Sequence, residues 1–264
     1  MTASVGHQAS LTSWASSELL VANLTATSIS ITDSAAIGDA TGLGQSGASF
    51  ATLLRSATGS FSARWKGGGT PKTGAAGALA FDPTYYGVSD GDPPIGFTDF
   101  SLNLSWGALE ISSSTDATFD TTFRAGILSW SGSINLRLDD TEPLTQSQIS
   151  GNAVIEATFN LDATHTFVGN IWITGTSKTA SINTTSAQSF SFQGTGALTA
   201  AGANNLFAAG AIPIVTPRVL VATYATGRTV SASAFPSSVS ITVPRNEMIN
   251  VDVGVQYTGA LTLA

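Results

Sequence analysis

The sequence predicts an all-β protein, mainly strands with at most short helices, built from duplicated β domains of the sandwich or barrel kind. Three observations carry the prediction. First, Trp130, Gly132, Ile134, Leu136 and Leu138 alternate without a fault with Ser131, Ser133, Asn135, Arg137 and Asp139. A period of two belongs to a strand with one buried face. Second, charged residues make up only 10% of the 264-residue chain while hydrophobic residues reach 42%. The usual charged share is about a quarter. Ser, Thr, Ala and Gly fill the gap, which suits strands and turns with small polar outer faces. Third, the alternating stretch has a twin, Thr58-Gly59-Ser60-Phe61-Ser62-Ala63-Arg64-Trp65, at an offset of 73 residues (Arg64 to Arg137).

In chain order, residues 1–18 are small and polar and read as an arm that Trp14 anchors. Leu24–Thr32 reads as a strand with Ile29 and Ile31 on one face, and Asp33–Gly47 as a Gly- and Asp-rich loop. Phe50–Arg55 is expected to form a turn of helix ahead of the first signature strand. Residues 67–99 hold Gly67-Gly68-Gly69, Asp90-Gly91-Asp92 and Pro93-Pro94 and read as a projecting loop, because structureless connections this long are uncommon in a domain core. Phe100–Ala108 alternates again, extended by Leu109–Ile111. After the second signature strand, Ile155, Ala157, Phe159 and Leu161 share one face, followed by Phe167, Gly169, Ile171 and Ile173, then Phe190 and Phe192. Ala200–Gly210 is the best candidate for a short helix. Val219–Tyr224, Arg228–Ala234, Val239–Val243 and Ile249–Val255 read as the closing strands.

A second repeat lies in this half. Thr195-Gly196-Ala197-Leu198-Thr199 recurs as Thr258-Gly259-Ala260-Leu261-Thr262, an offset of 63 (Thr195 to Thr258) that also places Gln193 on Gln256. Two front units followed by two back units imply a duplicated domain. The expected division is an N-terminal arm over 1–23, the front half of a first domain over 24–66, and a projecting loop over 67–99. A second domain, front and back halves together, spans 100–200, and 201–264 completes the duplication. Whether the halves pair as neighbours or nest is open at this level.

Chemistry has little material. There is no cysteine, hence no disulfide framework or thiolate metal site, and only His7 and His165 could serve a histidine-based triad. His165 sits in a polar turn, Asp162-Ala163-Thr164-His165, where a solvated histidine is the expected reading. Asp90-Gly91-Asp92 and Asp139-Asp140 lack the continuation of a calcium loop and read as turn aspartates. Gly67-Gly68-Gly69 has no Lys-Ser/Thr behind it, so it is a hinge or tip rather than a phosphate cradle. The five tryptophans are spaced as core anchors. Net charge is −7, which excludes binding nucleic acid by phosphate neutralisation. Met1–His7 lacks the basic and apolar regions of a signal peptide, and no apolar run of about 18 residues would span a bilayer. A soluble product made in the cytoplasm is expected.

The stretch Glu110-Ile111-Ser112-Ser113-Ser114-Thr115, followed by Gly126-Ile127-Leu128-Ser129-Trp130-Ser131-Gly132-Ser133, resembles the major tail protein (tail tube protein) of long, non-contractile phage tails. Ile31-Thr32-Asp33 and Thr58-Gly59-Ser60 are weaker echoes, and Gly194–Thr199 with its copy resembles that family's terminal strand. The likeness covers about residues 24–65 and 100–262. The doubled pattern departs from single-domain tube subunits and is similar to the subset in which three chains make a pseudo-sixfold ring. The resemblance implies a structural virion protein whose rings stack into a hollow tail tube. DNA would pass through the lumen without specific binding, and an acidic lumen would repel its phosphates. The implied partners are copies of the chain itself, with the tape-measure, tail-tip and terminator proteins, and no membrane. It implies no catalytic residue, no metal and no cofactor. The competing readings are a secreted or surface β-sandwich adhesin or carbohydrate-binding module, and a β-helical polysaccharide lyase. The missing signal peptide and aromatic cleft weigh against the first, and the absence of solenoid spacing against the second.

Overall fold

The computed structural model describes residues 10–14, 19–39, 49–76, 78–81, 97–112, 121–137, 154–181, 184–203, 205–225 and 228–264. The front of the chain forms β1 (Ser10–Trp14), β2 (Leu24–Asp39), β3 (Phe50–Trp65), β4 (Ala78–Phe81) and β5 (Phe97–Ser105). Next come β6 (Ala108–Glu110), β7 (Phe123–Ala125), β8 (Ser129–Arg137), β9 (Ile155–Asn160), β10 (Thr166–Ser181) and β11 (Thr184–Ala201). The chain closes with β12 (Gly210–Ala211), β13 (Arg218–Ala225), β14 (Arg228–Pro244), β15 (Asn250–Tyr257) and β16 (Thr262–Leu263). Helical structure among the described residues is limited to two 3-10 turns, Val21–Asn23 and Gly74–Ala76. The fold is all-β.

Among the described residues fourteen strands join one sheet whose main path is β2-β3-β15-β14-β5-β8-β11-β10-β9-β4. β1, β12, β13 and β16 branch from it, and β6 with β7 forms a separate pair. Along that path one pattern occurs twice. A front hairpin, β2-β3 or β5-β8, lies beside the back hairpin β15-β14 or β11-β10 in the same order. The registers repeat as well. Phe61 faces Val253 and Gly59 faces Val255, while Ile134 faces Phe190 and Gly132 faces Phe192, so the offsets of 73 and 63 hold together across both ladders. Bulges recur too: between Ile173 and Gly175 against β11, and between Pro236 and Ser238 against β15. β2 follows β5 at an offset of 71 (Ile29 to Phe100), with bulges at Ala26/Ser28 and Phe97/Asp99.

One face of this sheet is the core. Phe61, Ala63, Val251, Val253, Val239, Ile241, Phe100, Leu102, Ile134, Phe190 and Phe192 are all buried and meet Phe159, Phe167 and Trp130. Full burial of one such side chain is worth about 1.5–3 kcal/mol. The two copies differ by compensating sizes. A side-chain carbon on Gly194 would lie 2.0 Å from the Trp130 ring. At the matching positions the other copy has the large Tyr257 and the small Ala57, both buried.

Several sequence expectations change. Ala200–Gly210 is not a helix: β11 runs to Ala201, Gly202 turns the chain with φ +97°, and the Asn205 amide donates to the carbonyls of Thr166 and Ala201. A left-handed residue cannot sit inside a right-handed helix. Phe50–Arg55 is strand, because β2 extends past the expected loop start to Asp39 and pairs with it. The 67–99 stretch is no single loop. Its Lys72 amide and carbonyl bond Trp65 and Ile249, β4 pairs with β9, and its last residues belong to β5. Residues 82–96 lie outside the described residues. In the N-terminal arm, β1 pairs with β13, and Trp14 anchors it as expected by donating to the Ala234 carbonyl and standing edge-on to Phe61.

Candidate functional site

Of the residues singled out for chemistry, His165 and Gly67-Gly68-Gly69 lie among the described residues. His165 is buried rather than solvated, a correction whose reason is the turn itself. Its Nδ1 lies 2.7 Å from the Asp162 carboxylate, its Nε2 faces the Ala203 carbonyl, and its ring stands edge-on to Trp65 at 4.9 Å. Burial pushes the Asp162 carboxyl up, but the Thr164 amide, the His165 ring, the Thr164 hydroxyl and the attraction of His165 together hold it below its ordinary value. Nδ1 is engaged within the turn and Nε2 by the chain just after β11, so His165 fastens the β9–β10 connection to the core beside Trp65. Gly67 and Gly68 adopt positive φ in a packed turn, where Gly67 leaves room for the Trp65 ring and is no flexible tip.

His7, Asp90, Asp92, Asp139 and Asp140 lie outside the described residues. Among the described residues no group of three His, Asp or Glu stands close enough to hold a metal, and no helix is long and apolar enough to cross a membrane. A cleft where β5, β8, β10 and β11 meet is lined by Thr98, Asn135, Arg137, Ser177, Thr179 and Gln188 among others. Among the described residues Arg137 is the one charged group of this lining, which gives no acid–base pair there.

What the strands do build is a broad polar face and two sheet edges. Opposite the core, Ser30, Thr32, Ser60, Ser62, Ser101, Asn103, Ser131, Ser133, Ser189, Ser191, Ser240 and Thr242 stand in adjoining rows. Among the described residues the charges on this face are Arg64, Arg137, Asp99, Asp252 and, on β9 opposite Asn170, Glu156, a net of one negative charge. The acidic balance of the chain is therefore not concentrated there. Hydroxyls link the rows: Ser101 and Ser133 are 2.9 Å apart, and Ser240 donates to Asn103 at 2.7 Å.

The seam between the copies is the β14–β5 ladder, running from Ser238 opposite Ser105 to Pro244 opposite Asp99. A second contact reinforces it. The pair β6–β7 reaches the other copy: the Thr121 amide donates to the Arg55 carbonyl at 2.7 Å and the Phe123 amide to the Thr258 hydroxyl at 3.0 Å. β6–β7 matches the far end of the β2–β3 hairpin in register, Ala108 opposite Ala125 corresponding to Ile37 opposite Thr52. Gly107, at φ +57°, separates β6 from β5, whereas β2 is continuous.

The closing strands also repeat a side-chain bond. Gln193 donates to the Trp130 carbonyl at 2.7 Å, and Gln256 donates to the Ala57 carbonyl at 3.0 Å. Gly196 and Gly259 follow with φ of +71° and +80°, a turn conformation that glycine adopts without steric cost. Of the five tryptophans, Trp14, Trp65, Trp106 and Trp130 are core anchors as expected, while Trp172 is 36% exposed. The sequence missed the seam because backbone pairing between the copies leaves no mark in composition. The only sequence signal was the agreement of the two offsets.

No protein-family model matches the chain, and no curated protein does. Among solved structures it is similar to a chain of the virion of a native gene transfer agent particle, with 14% identity and a TM-score of 0.42 over 50% of this chain and 99% of that one. It is also similar to a chain of the tail of an empty gene transfer agent particle with C6 symmetry, with 17% identity and a TM-score of 0.42 over 48% of this chain and 97% of that one. A third likeness is to the SPP1 tail tube, with 14% identity and a TM-score of 0.36 over 50% of this chain and 80% of that one.

Proposed function

We propose that this chain is the repeating structural subunit of a phage-type tail tube, with three copies closing a pseudo-sixfold ring and rings stacking into a hollow conduit for DNA. The observation that carries the reading is the sheet path: two like four-strand sets joined edge to edge, with β2 at one end of the path. Unpaired strand edges invite further strands, and closure into a ring removes them. The resemblance of Gly126–Ser133 and Gly194–Thr199 to tube proteins supplies the class of assembly.

In this reading each four-strand set is one tube domain, the second inserted between the front and back halves of the first. A sixfold wall then needs three chains. The Ser/Thr face lines the lumen. Hydroxyls with few charges and a small net negative balance do not grip phosphates, so DNA slides through unbound. The tape-measure, tail-tip and terminator proteins are the proposed partners at the tube's axis and ends. The role requires no catalysis.

Negative-stain microscopy of the purified protein tests the proposal. Rings or hollow tubes are expected, and averaging without imposed symmetry should show three equivalent chains per ring. Discrete monomers at high concentration would instead favour a surface β-sandwich module.

A further inference from the structure

We propose that β10, beyond Ile171, pairs with β2 of a second copy of this chain in the register that β14 and β5 adopt within one chain. The inference rests on the ring reading above and says which edges meet and residue against residue how. It follows from the repeat itself. β13 covers one edge of β14 only from Arg228 to Ala234, and from Ser238 to Pro244 that edge carries β5. β9 likewise covers one edge of β10 only from Thr166 to Ile171. The length of β10 that corresponds to Ser238–Pro244 is Gly175–Ser181, and the strand that corresponds to β5 is β2, which ends the sheet path.

Carrying the register across gives the contact. Ser240 opposite Asn103 becomes Ser177 opposite Thr32 of the neighbour, and Thr242 opposite Ser101 becomes Thr179 opposite Ser30. Lys178 then lies diagonal to the neighbour's Asp33 on the same face, where opposite charges attract.

Two further observations fit the same placement. Inside the chain the β6–β7 pair lands on Arg55, Thr258 and Gly259. The matching landing points for the neighbour's β2–β3 hairpin are Leu128, Thr195 and Gly196, beside Ile127, which is 85% exposed. The Phe50 amide of that hairpin would meet the Thr195 hydroxyl as the Phe123 amide meets Thr258. Phe235, two residues before the carbonyl that accepts the Trp106 amide, is fully buried at the inner seam. Its counterpart Trp172 is exposed in the single chain and gains cover from a second copy.

The chain has no cysteine, so a designed pair reports without background. Directly opposed strand residues are close enough for a disulfide, whereas diagonal ones, about 7–8 Å apart, are not. The double variant Thr32→Cys/Ser177→Cys, assembled and then oxidised, should run on a non-reducing gel as dimer and trimer and nothing larger. Ser34→Cys/Ser177→Cys, one diagonal out of register, should cross-link at least tenfold less. Ser30→Cys/Thr179→Cys repeats the test at a second rung if the first pair disturbs assembly. Rings or tubes without either in-register cross-link, or with equal out-of-register cross-linking, would overturn this register while leaving the tube reading intact. Folded protein forming neither rings nor cross-links would overturn both, and cross-linked species above trimer would overturn closure by three chains.

Discussion

The set β2-β3-β15-β14 and the set β5-β8-β11-β10 share strand order, register and bulges, yet fill their interiors differently. In one, Trp130 lies over Gly194 and donates its indole N–H to the Gly196 carbonyl. In the other, Ala57 faces the region of Tyr257, whose ring packs on Gly59. Gly169 beside Trp130 has Ala232 as its counterpart, and Phe192 has Val255. The comparison teaches that the ladder is held constant while volume is exchanged between facing positions. Close-packed interiors permit such paired swaps and resist single ones.

The largest effect should come from breaking one exchanged pair. Trp130→Ala is expected to lower the unfolding free energy by about 3–5 kcal/mol, the usual range for deleting a buried tryptophan. Adding Gly194→Tyr recreates the other copy's arrangement and should recover about 1–3 kcal/mol as a coupling between contacting residues. Gly194→Tyr alone should be destabilising, since the new ring would enter the space of Trp130. Urea unfolding of the three variants decides, and strict additivity would show that the pair does not compensate.

A smaller effect separates the two matching glutamines. Gln256 is buried and Gln193 is exposed, although both donate to equivalent carbonyls. Gln256→Leu strands a buried carbonyl and should cost about 1–3 kcal/mol, whereas Gln193→Leu should stay within about 0.5 kcal/mol in the isolated chain. Equal costs would mean that burial does not distinguish the two turns.

The smallest effect is a pH dependence confined to one copy. Burial pushes the Tyr257 hydroxyl up from 10.0 to about 12, and its counterpart Gly194 has nothing to titrate. Between those values the unfolded chain has released this proton and the folded chain keeps it. Stability from this group is thus complete below about pH 10 and falls as pH rises towards 12. Tyr257→Phe should flatten the alkaline limb of a plot of thermal midpoint against pH, and an unchanged slope would assign the loss to other groups.

Much of this architecture was legible in the sequence. Alternation in Trp130–Leu138 and Phe100–Leu104 marks strands because a half-buried strand must alternate, and the offsets of 73 and 63 marked two matching pairs of strands. The offset of 71 between β2 and β5 was not legible, since Ile29 and Ile31 answer to Phe100 and Leu102 only in hydrophobicity. Ala200–Gly210 misled for a related reason. Alanine favours a helix locally, but Gly202 and the amide of Asn205 hold the chain in a turn on which Leu206 and Phe207 reach the core.

The sequence alone therefore determined the fold class, the repeated strands and the scarcity of catalytic groups, because these follow from local periodicity and composition. Tertiary structure decided that β14 joins β5, that His165 is a buried fastener and that the polar face carries little net charge. Each of these depends on which distant strand supplies the neighbouring backbone, and hydrogen bonds between strands are made by the same groups in every residue but proline. Side-chain order along the chain records the face a residue takes, whereas its partner across the sheet is settled only when the whole core packs.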